Sequence, residues 1–94
     1  MPATGTIEID FGTGGGSNEA SVAVTGQTAI LATHSAEAFL MREASTNHTA
    51  SDQSYAAAFI GFTCDVPIAA TGFTIYGRSE HKMTGKYKLR WVWA

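Results

Sequence analysis

His34, His48 and His81, together with Ser35, Asp52 and the single cysteine Cys64, are the side chains that could move a proton, hold a metal or attack a carbonyl. Metal sites built on neutral imidazole usually gather ligands at short spacing. Only His48 with Asp52 comes near this, in a polar stretch whose plain reading is a solvated loop or an Asx turn. A nucleophilic triad can be written from Ser35, His48 and Asp52, but no Gly-x-Ser-x-Gly elbow accompanies it. Glu8 and Asp10 fall on one strand face, where surface solubility explains them better than paired acid/base work. Gly14-Gly15-Gly16 is followed by neither a Lys-Ser/Thr pair nor a helix N-terminus that could cradle a phosphate. The expectation is a non-catalytic chain that needs no metal and no cofactor.

Two further sets of residues suit contact rather than chemistry. Arg78, Lys82, Lys86, Lys88 and Arg90 concentrate positive charge late in the chain, and Lys86, Lys88 and Arg90 share one parity, so they are candidates for meeting an acidic neighbour as well as for a solvated sheet face. Gly14, Gly15 and Gly16 would serve either as a plain loop or as a tip that orders against another subunit. Tyr76 and Tyr55 are candidate stacking surfaces for a glycan, since sugar platforms need flat, rigid, partly polar rings, although core packing is the commoner use of such aromatics.

Composition narrows the partners. The 94 residues are 45% hydrophobic and 15% charged with a net charge of -2, so there is no general basic field to hold nucleic acid. Few charges leave much of the surface neutral, as suits a protein that packs against copies of itself or a partner. One cysteine allows no intrachain disulfide and points to a reducing site of synthesis. No apolar run reaches the roughly 20 residues needed to span a bilayer, and the N-terminus has no signal-peptide pattern, so a soluble chain made in a cytoplasm is expected.

The elements that must position these residues read as strands. Thr6 to Phe11 places Ile7, Ile9 and Phe11 inward, and Gly12 to Asn18 reads as a long hairpin loop or a surface lip. Ala20 to Thr25 sets Val22 and Val24 inward, Gly26-Gln27 turns, and Thr28 to Thr33 is expected as the hairpin partner. Glu37 to Glu43 holds good helix formers but is read as a strand because it is short and its neighbours are strands. Ser45 to Asp52 is read as a loop, and Tyr55 to Thr63 as a buried strand. Pro67 marks an edge or a strand start. Gly72 to Arg78 is a strand, Ser79 to Gly85 a polar turn, and Lys86 to Ala94 a terminal strand with Tyr87, Leu89, Trp91 and Trp93 buried. That last strand would close the core. The whole predicts one all-β domain over residues 1–94, a small antiparallel β-sandwich of seven to eight strands, immunoglobulin-like or jelly-roll-like.

In order along the chain, Ile7-Glu8-Ile9-Asp10-Phe11-Gly12, Val22-Ala23-Val24-Thr25-Gly26-Gln27, Glu37-Ala38-Phe39, Asn47-His48-Thr49-Ala50-Ser51-Asp52, Gly72-Phe73-Thr74-Ile75-Tyr76 and Trp91-Val92-Trp93 give a sequence that resembles small virion proteins of tailed bacteriophages and prophages. The resemblance spans nearly the whole chain. It implies a structural component made in the bacterial host cytoplasm and built in many copies into the virion, either decorating or cementing the capsid or forming part of the tail. Its partners would be other virion proteins and itself as a homo-oligomer, with no nucleic acid, membrane or cofactor. Gln53 and Ser54 stand where relatives carry a second acidic-histidine pair, and the stretch between Tyr76 and Tyr87 is short for the group. The alternative reading is a host-surface glycan-binding module of a tail fibre or spike, resting on Tyr76 and Tyr55.

Overall fold

The computed structural model describes residues 3–13 and 15–94. Among these, six strands and one short helix follow one another as β1 (Ala3–Asp10), β2 (Ser17–Val24), β3 (Ala36–Leu40), α1 (Ala50–Ala56), β4 (Ile60–Cys64), β5 (Phe73–Met83) and β6 (Lys86–Trp93). They form two antiparallel three-stranded sheets, ordered β1-β6-β3 and β2-β5-β4. The two central strands, β5 and β6, are consecutive in the chain and meet at the Thr84-Gly85 corner. β1 lies over β2 and β3 over β4, so the sheets share one core. The architecture is all-β, with six strands where the turn spacing predicts seven or eight.

Period-two alternation accounts for the inner faces. β6 buries Tyr87, Leu89, Trp91 and Trp93 and turns Lys86, Lys88, Arg90 and Val92 outward. Ile9 of β1 and the adjacent Phe11, Val24 of β2, and Phe73 and Ile75 of β5 complete the centre, with Ile30 and Ala56 plugging it from outside the sheets. The two indoles need room beside them. Trp93 is flanked across the strands by Ala3 and Ala36, and Trp91 by Gly5 and Ala38. Small residues on both neighbours let each indole lie flat in the sheet face, and Trp91 then meets Phe73 of the opposite sheet edge-on at 5.8 Å between ring centres.

Several expected boundaries move, each for a physical reason. β1 and β2 do not form a hairpin, because they belong to different sheets. β2 starts at Ser17 opposite Met83, with a bulge between Ser17 and Glu19. Thr28 to Thr33 is not a strand. β2 takes β5 as its neighbour, and the segment turns instead, Ile30 N–H donating to Gln27 O at 3.2 Å and its side chain entering the core. Thr49 to Ala56 is a capped helix and not loop followed by strand, so the expected Tyr55–Thr63 strand begins only at Ile60 and runs one residue further, as β4 Ile60–Cys64.

β5 runs on through the expected turn to Met83. Its inner positions 77 and 79 are Gly and Ser, which hides the alternation. A Cβ at Gly77 would press on Phe62 at 3.0 Å and Phe11 at 3.1 Å, so those two rings fill the space that a larger side chain would take. Of the three alanines that end α1 and follow it, Ala56 is buried under the sheet and Ala57 and Ala58 are exposed. No helix among the described residues is long and apolar enough to cross a membrane.

Candidate functional site

The residues with the most chemical character are held by backbone. His48 stacks on Tyr87 at 4.0 Å, and its Nε2 donates to Thr84 O at 2.6 Å, since a carbonyl can only accept. Its Nδ1 lies 3.6 Å from Asp52 Oδ2, so sequence spacing does bring His48 and Asp52 together. The same Asp52 is the third residue of α1 and accepts from Thr49 N–H at 3.3 Å, while Thr49 Oγ1 accepts from Asp52 N–H at 3.2 Å, a reciprocal cap of the helix start. His48 and Asp52 therefore pin the 45–49 loop and α1 against the β5-β6 corner. Ser35 belongs to the other end of β6, bonded to Ala94 through both backbone groups, so no Ser-His-Asp geometry forms. His34 accepts from Leu31 N–H at 2.9 Å and stacks on Trp93, and His81 meets Phe59 edge-on. No three His, Cys, Asp or Glu side chains converge among the described residues. Burial, reinforced by Glu37, pushes the Cys64 thiol up, away from the reactive thiolate.

Gln53 is the residue that spacing alone did not single out. It is wholly buried in α1, and its amide continues the sheet where β3 stops. Nε2 donates to Met41 O at 2.7 Å and Lys88 O at 2.8 Å, and Oε1 accepts from Lys88 N–H at 2.7 Å. Thr49-x-x-Asp52 followed by an alanine-rich run is the sequence signal for the helix that carries it.

The expected basic face is a matched one. Across β1 and β6, Asp10 stands opposite Lys86 and Glu8 opposite Lys88, and Lys88 Nζ reaches Glu43 at 3.1 Å. Arg90 faces Thr6 and Phe39, with no carboxylate at either cross-strand position. Glu8 also receives the Thr46 hydroxyl at 2.6 Å and its N–H at 2.7 Å, and these bonds, with help from Lys86 and Lys88, hold its carboxyl below the usual range. A lowered folded-state value favours the folded protein above the ordinary carboxylate range, and that contribution is lost as pH falls through the lowered value. Urea midpoints of the wild type and Glu8→Gln should therefore differ at pH 7 and converge toward pH 3. The exposed setting limits the gap to under about 1 kcal/mol, and a constant gap would refute the role given to Glu8.

Of the glycine tract, Gly15 is exposed and Gly16 packs against Met83 O in a left-handed conformation, φ 77°; Gly14 lies outside the described residues. The two candidate tyrosines do not form one platform. Tyr76, on the outer face of β5, donates to Asp65 at 3.1 Å and borders an open dent of about 550 Å³ beside the Glu19–Arg78 ion pair. Tyr55 projects from α1 against Phe59, whose other neighbour is His81, five residues and roughly 17 Å along β5 from Tyr76.

Three exposed aliphatic side chains lie on two neighbouring loops. Leu31, Val66 and Ile68 are 55%, 73% and 65% exposed on two loops at the end of the sheets where β2 stops and β5 begins. The loops are stitched together by Ala70 N–H to Ile30 O and Gln27 N–H to Thr71 O, both 2.9 Å. Compared with protein-family models, curated proteins and solved structures, the chain finds no match.

Proposed function

We propose that this chain is a non-catalytic bacteriophage virion protein, a six-stranded β-sandwich that decorates or cements the capsid or forms part of the tail through subunit contacts. The observation that carries the reading is the Leu31, Val66 and Ile68 end, where three large aliphatic side chains on tied loops remain more than half exposed. Large aliphatic side chains left exposed on two neighbouring loops suit a contact with another protein. The polar groups at the opposite end support the same reading, because His48, Asp52 and Gln53 spend their hydrogen bonds on the chain's own backbone and helix cap. Its partners are other virion proteins and copies of itself, and it reaches the virion from the host cytoplasm.

Leu31→Asp with Ile68→Asp should leave the thermal midpoint within a few degrees of the wild type, since neither side chain is buried. The same pair should abolish co-sedimentation with assembled heads or tails. A wild-type chain that ignores both particles would sink the proposal. The exposed Tyr76 beside its dent favours a second reading as a glycan-binding module; binding to host polysaccharide that disappears in Tyr76→Ala would select it.

A further inference from the structure

The four sheet edges are not alike. β1 carries Glu8 and Asp10, β2 carries Glu19 and a bulge, and β3 carries Glu37. β4, Ile60-Gly61-Phe62-Thr63-Cys64, has no charge, proline or bulge, and those are the devices that keep an edge strand from pairing with another chain. Asp65 N–H donates to Thr74 O at 2.9 Å, which continues the β4-β5 ladder. By the two-residue period, Thr63 and Gly61 direct their backbone groups toward β5, and Ile60, Phe62 and Cys64 direct theirs outward. None of these outward groups takes part in a hydrogen bond outside the strand ladder among the described residues.

We infer that β4 is the edge through which a second copy of this chain adds, antiparallel and centred on Phe62, to give one continuous sheet of six strands. The inference rests on the assembly reading above and specifies one of its contacts. The register is self-complementary. Phe62 opposes Phe62 of the second copy, and Ile60 opposes Cys64, so all three outward residues pair in both directions. A two-fold axis normal to the sheet keeps inner faces inner, and a slip of one residue would turn every side chain to the wrong face. The arriving Phe62 ring comes in beside an opening of about 490 Å³ between residues 36–39 of β3, Glu37 among them, and Phe62, Thr63 and Cys64 of β4. The same pairing at β1 or β2 would bring carboxylates into a shared ladder. At β4 it brings only Gly61 against Thr63 on the outer face.

Sedimentation across the micromolar range should show the wild type moving from the 9.9 kDa chain to twice that mass. Gly61→Glu with Thr63→Glu sets like charges opposite each other at two symmetric places and should weaken the dimer at least about tenfold. Gly61→Glu with Thr63→Lys restores opposite pairs and should restore the dimer. Both positions are exposed, and a Cβ at Gly61 meets nothing within 4 Å, so neither variant strains the monomer. In the wild type the Phe62 amide should exchange more slowly as concentration rises. A chain that stays monomeric, a double-Glu variant that still dimerises, or a Phe62 amide that exchanges rapidly at every concentration would overturn the inference. Monomers that nevertheless bind particles would overturn it and leave the assembly reading intact. Dimers paired through β4 that ignore heads and tails would do the reverse.

Discussion

Gln53→Glu should be tolerated at pH 4 and strongly destabilised at pH 7, although it changes the side chain by little more than one atom. In the wild type the buried amide presents N–H groups to Met41 O and Lys88 O, and its oxygen to Lys88 N–H. A carboxylate there would aim an oxygen at two carbonyls within 3 Å, in a site with no exposure to water. Only the protonated acid can donate to one of them, so the folded state raises the carboxyl pKa above its ordinary value of about 4.3. A raised carboxyl pKa means the folded state binds the extra proton. Stability of the variant is therefore greatest below that ordinary value and declines as pH rises toward the folded one. An unpaired buried charge or its avoidance costs about 3 to 5 kcal/mol at neutral pH. Gln53→Leu supplies the control. It strands the Lys88 N–H and the Met41 carbonyl, while Lys88 O keeps the Met41 N–H, and should cost about 3 kcal/mol with no added pH dependence. Urea unfolding of both variants at pH 4 and pH 7 decides the matter, and parallel pH profiles would contradict the assigned geometry.

The same site shows where the sequence is legible and where it is not. Strong alternation around bulky residues reads correctly, as in Ile7 and Ile9 of the first strand with the adjacent Phe11, and Tyr87, Leu89, Trp91 and Trp93 of the last. The reading falters where the inner positions are small. Gly77 and Ser79 face the core of β5 but carry no hydrophobic signal, because Phe11 and Phe62 supply the missing bulk from other strands. It falters again at α1, where Thr49 and Asp52 look like loop residues until they are recognised as two halves of a helix cap. His48 and Asp52 looked like candidates for chemistry because their types and spacing permit it. What the spacing could not say is that Thr84 O and the Tyr87 ring take up the imidazole. The matched charges of Lys86 and Lys88 likewise depend on register, which sets Asp10 and Glu8 across from them. Register follows from which strands meet, and that is a property of the whole chain.

Trp91→Ala and Gly5→Val should each destabilise the protein when made alone and offset each other when combined. Trp91 is a buried indole near the middle of the β1-β6-β3 sheet, in edge contact with Phe73 of the other layer. Truncating it opens a cavity between the sheets, with an expected loss of about 3 to 5 kcal/mol. Gly5 sits directly across from it on β1, and a Cβ there would overlap the indole, coming within 2.8 Å of Cε2. A valine at position 5 must displace the ring or the strand, at a cost of about 1 to 3 kcal/mol. Once the indole is gone, the same valine enters the vacated space as a β-branched residue on a strand face, where such side chains pack well. The double variant should then be more stable than Trp91→Ala alone, a reversal of sign for the Gly5 substitution. Chemical denaturation of the four proteins measures that coupling. Independent sites add to within about 0.5 kcal/mol, and additivity on that scale would mean that Gly5 is not there to make room for Trp91.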